Sequence, residues 1–157
     1  QGIFDMSVSF CGENIKYEEL KNFLNIPDKE IYFNISNYIK EGNSNGILSY
    51  FNSLSEQGFD HQTFYNGITE HLRDLMIVNS TGKTDLLDEP DTIKEKYLEE
   101  AKGFSSEQIL RLMKILFEAE NRFKYSSSQK ILLEVLLTEL CRVNADLVDL
   151  SVILSEI

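Results

Sequence analysis

Ser105-Ser106-Glu107-Gln108-Ile109-Leu110-Arg111-Leu112-Met113-Lys114-Ile115-Leu116-Phe117 is the stretch that decides the fold. Ser105 with Gln108 three residues later makes a capping box, in which a hydroxyl and an amide satisfy backbone N–H groups that open a helix. Behind it Ile109, Leu112, Met113, Leu116 and Phe117 recur at the steps of a helix that buries one face. A half-buried strand would need strict alternation, which is almost nowhere to be found in this chain.

Upstream, the same period returns between glycine stops. A short helix is expected over 17–24, with Leu20, Phe23 and Leu24 on one side, ending before Pro27 because a residue preceding proline avoids the helical region. Asp28 is placed to cap the next, which carries Ile31, Ile35, Tyr38 and Ile39 and stops at Gly42. A third runs over 45–57 with Ile47, Leu48, Phe51 and Leu54 inward and Gly58 at its end. Asp60 caps a longer fourth, whose apolar face is Phe64, Ile68, Leu72, Leu75 and Met76, leaving Glu70, Arg73 and Asp74 toward water; Gly82 closes it. Over 89–103 only Ile93, Tyr97 and Leu98 stand out from a charged background, which predicts a modest surface helix.

Downstream, a helix opens near Ser128, where Ser127 or Ser128 can cap. Leu133, Leu136, Leu140, Val143, Leu147, Leu150, Leu154 and Ile157 form a seam that can bury against its own domain or against another chain. The first half reads as core of its own domain, whereas 143–157 fits either. Asn144 and Asp146 compete for the backbone and can end one helix and cap another. The expected fold is all-α, a compact bundle of five to six helices preceded by a short helical fragment.

Composition narrows the function. The 157 residues, 42% hydrophobic with ten Phe, seven Tyr and no Trp, suffice for one sizeable core. Twenty-six acidic residues against fifteen basic ones leave a net charge of -11, which repels phosphate backbones and anionic lipid heads. The arginines, Arg73, Arg111, Arg122 and Arg142, and the scattered lysines form no basic stripe, so direct nucleic-acid binding is disfavoured. Cys11 and Cys141 have neither metal spacing nor a disulfide framework around them and read as buried thiols of a reducing compartment. With no signal peptide and no apolar run of the ~20 residues that a bilayer requires, a cytoplasmic protein without membrane contact is expected. Asn34-Ile35-Ser36 and Asn79-Ser80-Thr81 are then accidental sequons.

Fragments that invite a catalytic reading fail on spacing. Gly82-Lys83-Thr84 ends like a phosphate-binding loop, but Ile77 stands where that loop needs glycine, and the preceding segment is helical. Glu70, His71 and Asp74 share a helical turn, with His61 upstream, yet neither histidine has a ligand partner at zinc spacing; His71 is expected to be solvated or at the core edge. The carboxylate pairs Glu18-Glu19, Asp88-Glu89 and Glu99-Glu100 diverge around a helix, as solvated surface would. Ser126-Ser127-Ser128 has no histidine near enough to activate a nucleophile. No catalytic residue, cofactor site or metal site is predicted.

A run of motifs in fixed order adds a resemblance. Gly58-Phe59-Asp60 opens a helix carrying His71-Leu72-Arg73-Asp74-Leu75; Leu86-Leu87-Asp88, Tyr97-Leu98, Ser105-Ser106-Glu107-Gln108-Ile109-Leu110 and Ser126-Ser127-Ser128-Gln129-Lys130 follow, leading to Leu132-Leu133-Glu134. This order resembles the third domain, the oligomerisation collar, of the bacterial DNA polymerase III gamma/tau clamp-loader subunit. Asp60, Leu72, Arg73, Asp74 and Glu134 stand at motif positions. Gln129 and Lys130 occupy places where the family often has proline then arginine, a departure that touches a preorganised first turn and not the fold.

The resemblance implies that residues 27–157 are the collar domain. Residues 1–26, with Phe10-Cys11-Gly12 and Ile15-Lys16-Tyr17-Glu18-Glu19-Leu20, look like the end of the ATPase module's lid. The family's ATP site, zinc module and sensor arginine would lie further upstream, so the chain is expected to hold neither ATP nor zinc and to have no ATPase activity of its own. Its implied partners are other gamma/tau copies, delta and delta-prime, packed side by side in a ring of five. Phe123, Tyr125, Leu147, Leu150 and Leu154 are the expected interface residues. The alternative is an autonomous acidic adaptor that binds a basic partner helix.

Overall fold

The computed structural model describes residues 29–155, with side chains for 29–143; the helix expected over 17–24, the Asp28 cap, Cys11 and the 1–26 unit lie outside them. Six helices make up the described residues, and there is no strand among them: α1 Lys29–Glu41, α2 Ser44–Glu56, α3 His61–Thr81, α4 Asp91–Ala101, α5 Ser106–Lys124 and α6 Gln129–Ser155. The all-α bundle is as expected.

Local sequence sets the helix ends. Gly42 (φ 67°) and Gly58 (φ 92°) sit in left-handed backbone that a Cβ would disfavour. In each case the N–H after the glycine reaches back five residues, Asn43 to Tyr38 (2.9 Å) and Phe59 to Leu54 (3.3 Å), satisfying carbonyls that would otherwise be orphaned. Asn43 then caps α2 through Gly46 N (2.9 Å), and Asp60 caps α3 through both the N–H and the hydroxyl of Thr63 at 2.8 Å. These two bonds hold the Asp60 carboxyl below its usual pKa. The Ser105/Gln108 capping box is present, at 3.1 and 2.8 Å. At the start of α6 it is Ser126 Oγ that accepts the Ser128 N–H (3.0 Å), and Ser128 supplies the first helical carbonyl.

α3 and α6 are the two shared helices of the bundle. α3 packs on α1, α4, α5 and α6, and α6 packs on α1, α2, α3 and α5. Ile35, Ile39, Ile47, Phe51, Phe64, Ile68, Leu72, Leu75, Leu112, Leu116, Leu136 and Leu140 fill the core between them. Phe51 on Phe64 (5.1 Å) and Tyr65 stacked on Phe123 (4.7 Å) join α2 and α5 to α3. Cys141 is a buried thiol, pushed up to about 11 by burial.

Three expectations need correction. Phe117, placed in the core stripe of α5, is 58% exposed; the buried row is Ile109, Leu112, Leu116, Ala119 and Phe123, and Phe117 falls on its flank. Helix α4 is no mere surface helix, since Tyr97 is 0% exposed although Leu98 lies outside. Asn144 and Asp146 do not break α6, which runs through both to Ser155. Neither is accompanied by glycine or proline, and a helix-interior Asn or Asp costs only ~0.7 kcal/mol against alanine.

Candidate docking surface and the polar chain behind it

Five side chains from three helices form a line through the interior. Tyr97 Oη (α4) lies 3.0 Å from His71 Nδ1 (α3), His71 Nε2 lies 3.1 Å from Ser36 Oγ (α1), Ser36 donates to Glu100 Oε2 at 2.7 Å, and Lys40 donates to Glu100 Oε1 at 3.2 Å. The direction of each bond follows from the chemistry. The single Ser36 hydroxyl proton faces two acceptors, the Glu100 carboxylate and the Phe33 carbonyl, so His71 Nε2 must be the donor to Ser36 and Nδ1 the acceptor from Tyr97. Burial lowers the His71 pKa to about 3, with Lys29 adding to the shift, so the imidazole is neutral. Burial also raises Tyr97, keeping its hydroxyl protonated.

His71, expected to be solvated or at the core edge, and Glu100, expected at the surface, are thereby placed inside. His71 is 2% exposed and Glu100 8%. Burial is tolerable because both ring nitrogens and both carboxylate oxygens have partners. The line contains serine, histidine and glutamate but runs backwards for nucleophilic catalysis: His71 donates to Ser36, whose own proton goes to an acceptor other than the ring. Its role is to seat α4 and α1 on α3.

Asp74 also departs from expectation. It is 3% exposed, clamped by Arg73 Nη2 at 2.8 Å, and its carboxyl is pushed up by burial against the pull of Arg73. Its oxygens come within 4.8 Å of those of Glu70 and Glu89. Lys29 fills the electrostatic demand there, 2.8 Å from Glu89 and 3.6 Å from Glu70. Burial is the largest single influence and works against the lysine's charge, but the Glu89 bond and the charges of Glu89, Glu70 and Asp74 together outweigh it and raise its pKa. Leu72, Arg73 and Asp74 thus divide as core residue, exposed clamp and buried acid.

The surface of the bundle is apolar in particular places. Between α3 and α5 a groove is lined by Met76, Leu110, Met113 and Phe117, with Arg73, Lys114 and Glu118 at its rim. It continues along α5 past Glu70 and Glu120 to Tyr65, Asn66 and Thr69. Leu110 (54%) and Phe117 (58%) are its exposed walls, while α6 displays Ile131 (61%) and Val135 (50%) one turn apart. These four were absent from the expected interface, although the three- and four-residue spacing that buries the stripes also shows which apolar residues those stripes leave over.

Phe123 is corrected outright: it is 0% exposed and belongs to the domain's own core. Tyr125 stands free at 78%, with Lys124 Nζ 5.7 Å from its ring. Leu147, Leu150 and Leu154 lie on α6, but their side chains are outside those described. Gln129 opens α6 and donates to the Phe123 carbonyl (3.4 Å); Lys130 and Glu134 are half-buried on its first turns.

Among the described residues no helix is long and apolar enough to cross a membrane. No curated protein matches the chain significantly. The family model for DNA polymerase III subunits gamma and tau, domain III, matches residues 15–156, opening inside the stretch expected to be a lid fragment. A match over nearly the whole chain, on an all-helical bundle, settles the membership. The chain belongs to the family of domain III of DNA polymerase III subunits gamma and tau, a part of the clamp loader.

Proposed function

We propose that this domain is the oligomerisation collar of a clamp loader, packing beside copies of itself, delta and delta-prime so that the ATPase modules stay tethered while a sliding clamp is loaded. The observation that carries this reading is the family match over residues 15–156. Two features support it. Leu110 and Phe117 on α5, and Ile131 and Val135 on α6, are exposed in pairs on helical side faces, which is how docking surfaces differ from scattered surface apolar residues. The net charge of -11 favours protein partners over nucleic acid and suits the cytoplasm. Tyr125 and the 147–154 seam remain candidate contacts. Neither ATP nor zinc has a role in this domain, and no catalytic step is assigned to it.

Native mass spectrometry of the chain, alone and mixed with the collar domains of delta and delta-prime from the same organism, tests the proposal. Mixed pentamers are expected. Persistent monomers in every mixture would sink the collar reading.

A further inference from the structure

The α3/α5 groove and the exposed row of α6 have opposite shapes. The groove is concave, with Met76, Leu110, Met113 and Phe117 between two helices. The α6 row is convex: Ile131 and Val135 stand opposite the buried Leu133, Leu136 and Leu140. α5 packs against both α3 and α6, and the groove opens on its α3 side, so the two features belong to different faces. We propose that they are mates, the Ile131/Val135 ridge of one copy seating in the Leu110/Phe117 groove of the next. This rests on the collar reading and adds both halves of one contact and its direction.

The charges around each feature decide the occupant and its orientation. Past Met76 and Leu110, which line the end nearest the α5 N-terminus, Lys114 and Arg73, the latter also holding Asp74, stand on opposite walls; further along α5 come Glu118 and then Glu70 and Glu120. On the ridge beyond half-buried Lys130, which adjoins Ile131 and falls toward the Met76/Leu110 end of the groove, Glu134 and Glu139 flank Val135 on either side, and Arg142 follows along the outward row. Basic then acidic along the groove therefore meets acidic then basic along the ridge. With α6 of one copy laid parallel to α5 of its neighbour, each end pairs opposite charges. Reversal would set Arg142 against Arg73 and Lys114, and Glu134 and Glu139 against Glu70 and Glu120, so the wrong polarity is penalised at both ends. Because each copy keeps its ridge and groove on separate faces, it can engage two neighbours head to tail, as a ring requires.

The test uses the 157-residue chain with Phe117→Glu to close the groove and Val135→Glu to spoil the ridge. Both positions are exposed, and circular dichroism and melting verify that each variant folds. In sedimentation velocity the wild type is expected to self-associate and each variant alone to run as a monomer. Equimolar mixing should restore a one-to-one dimer that grows no further, since one intact ridge and one intact groove remain. Variants that associate like the wild type, a mixture that stays monomeric, or one that grows beyond the dimer would overturn the pairing. A monomeric wild type would overturn it too; if Phe117→Glu then lost delta or delta-prime, the groove would belong to that subunit. Rings that still form with delta and delta-prime leave the collar reading standing while the pairing falls; wild type that assembles in no mixture fails both.

Discussion

Where α4 and α1 meet α3, the interior is threaded by Tyr97, His71, Ser36 and Glu100; where α6 meets α5, it is built from Leu112, Leu116, Ala119, Phe123, Leu133, Leu136 and Leu140. Every buried polar side chain among the described residues, Ser36, His71, Asp74 and Glu100, lies on α1, α3 or α4. The polar side is the more specific: its hydrogen bonds run between particular atoms of three helices, so a shift of α4 along α3 breaks several bonds at once. The apolar side is held by area and shape, which tolerate repacking. Its outer surface is also where Leu110, Phe117, Ile131 and Val135 are left uncovered. One side of the domain fixes its internal geometry, and the other keeps apolar surface for contacts beyond itself.

The apolar side should suffer most from a cavity. Phe123→Ala empties a fully buried site stacked on Tyr65 and is expected to cost about 3–5 kcal/mol in urea unfolding; a loss under ~1 kcal/mol would mean that the α5/α6 interior can collapse around the gap.

The polar side should announce itself through pH. His71 has a folded pKa of about 3 against 6.5 for the free side chain, so the unfolded state binds the proton first. The stability that neutral His71 contributes is complete above pH 6.5 and drains away as pH falls toward 3. Between pH 7 and 5 the loss should be about 2 kcal/mol. His71→Gln, which keeps a donor toward Ser36 but cannot titrate, should lose that part of the slope. Equal slopes for the two proteins would show that the carboxylates alone govern acid stability.

Smaller effects sharpen the contrast between inside and outside. Ser105→Ala removes half of a solvent-facing capping box and should cost ~1 kcal/mol by thermal melting, with no change in association. Phe117→Ser, on the outer face of the same helix, should alter melting stability by no more than ~0.5 kcal/mol while weakening self-association. A large loss of stability from Phe117→Ser would make that side chain part of the core after all.

Much of this was legible from local signals. The glycine stops at Gly42, Gly58 and Gly82, the Asp60 cap, the Ser105/Gln108 box and the stripes of α2, α3 and α5 depend on residues within one or two turns of each other, and the period of a helix exposes them. Motif order in the chain likewise carried the family. The errors share a cause. Glu100 and His71 look solvated because their partners, Ser36, Lys40 and Tyr97, come from other helices, so their burial depends on contacts between residues as many as 64 positions apart in sequence; Asp74 bonds to the adjacent Arg73, and it is the neighbouring elements that cover it. Phe123 reads from sequence as an interface residue because aromatic character alone does not say which side of a helix a neighbour will cover. The sequence by itself determined five to six helices, most of their ends and an acidic all-α domain of this family, since those follow from nearest-turn chemistry and composition. Which polar groups became interior wiring, and which apolar ones were left outside to form a groove and a ridge, was decided only when the helices packed, because burial belongs to pairs of elements and not to any one of them.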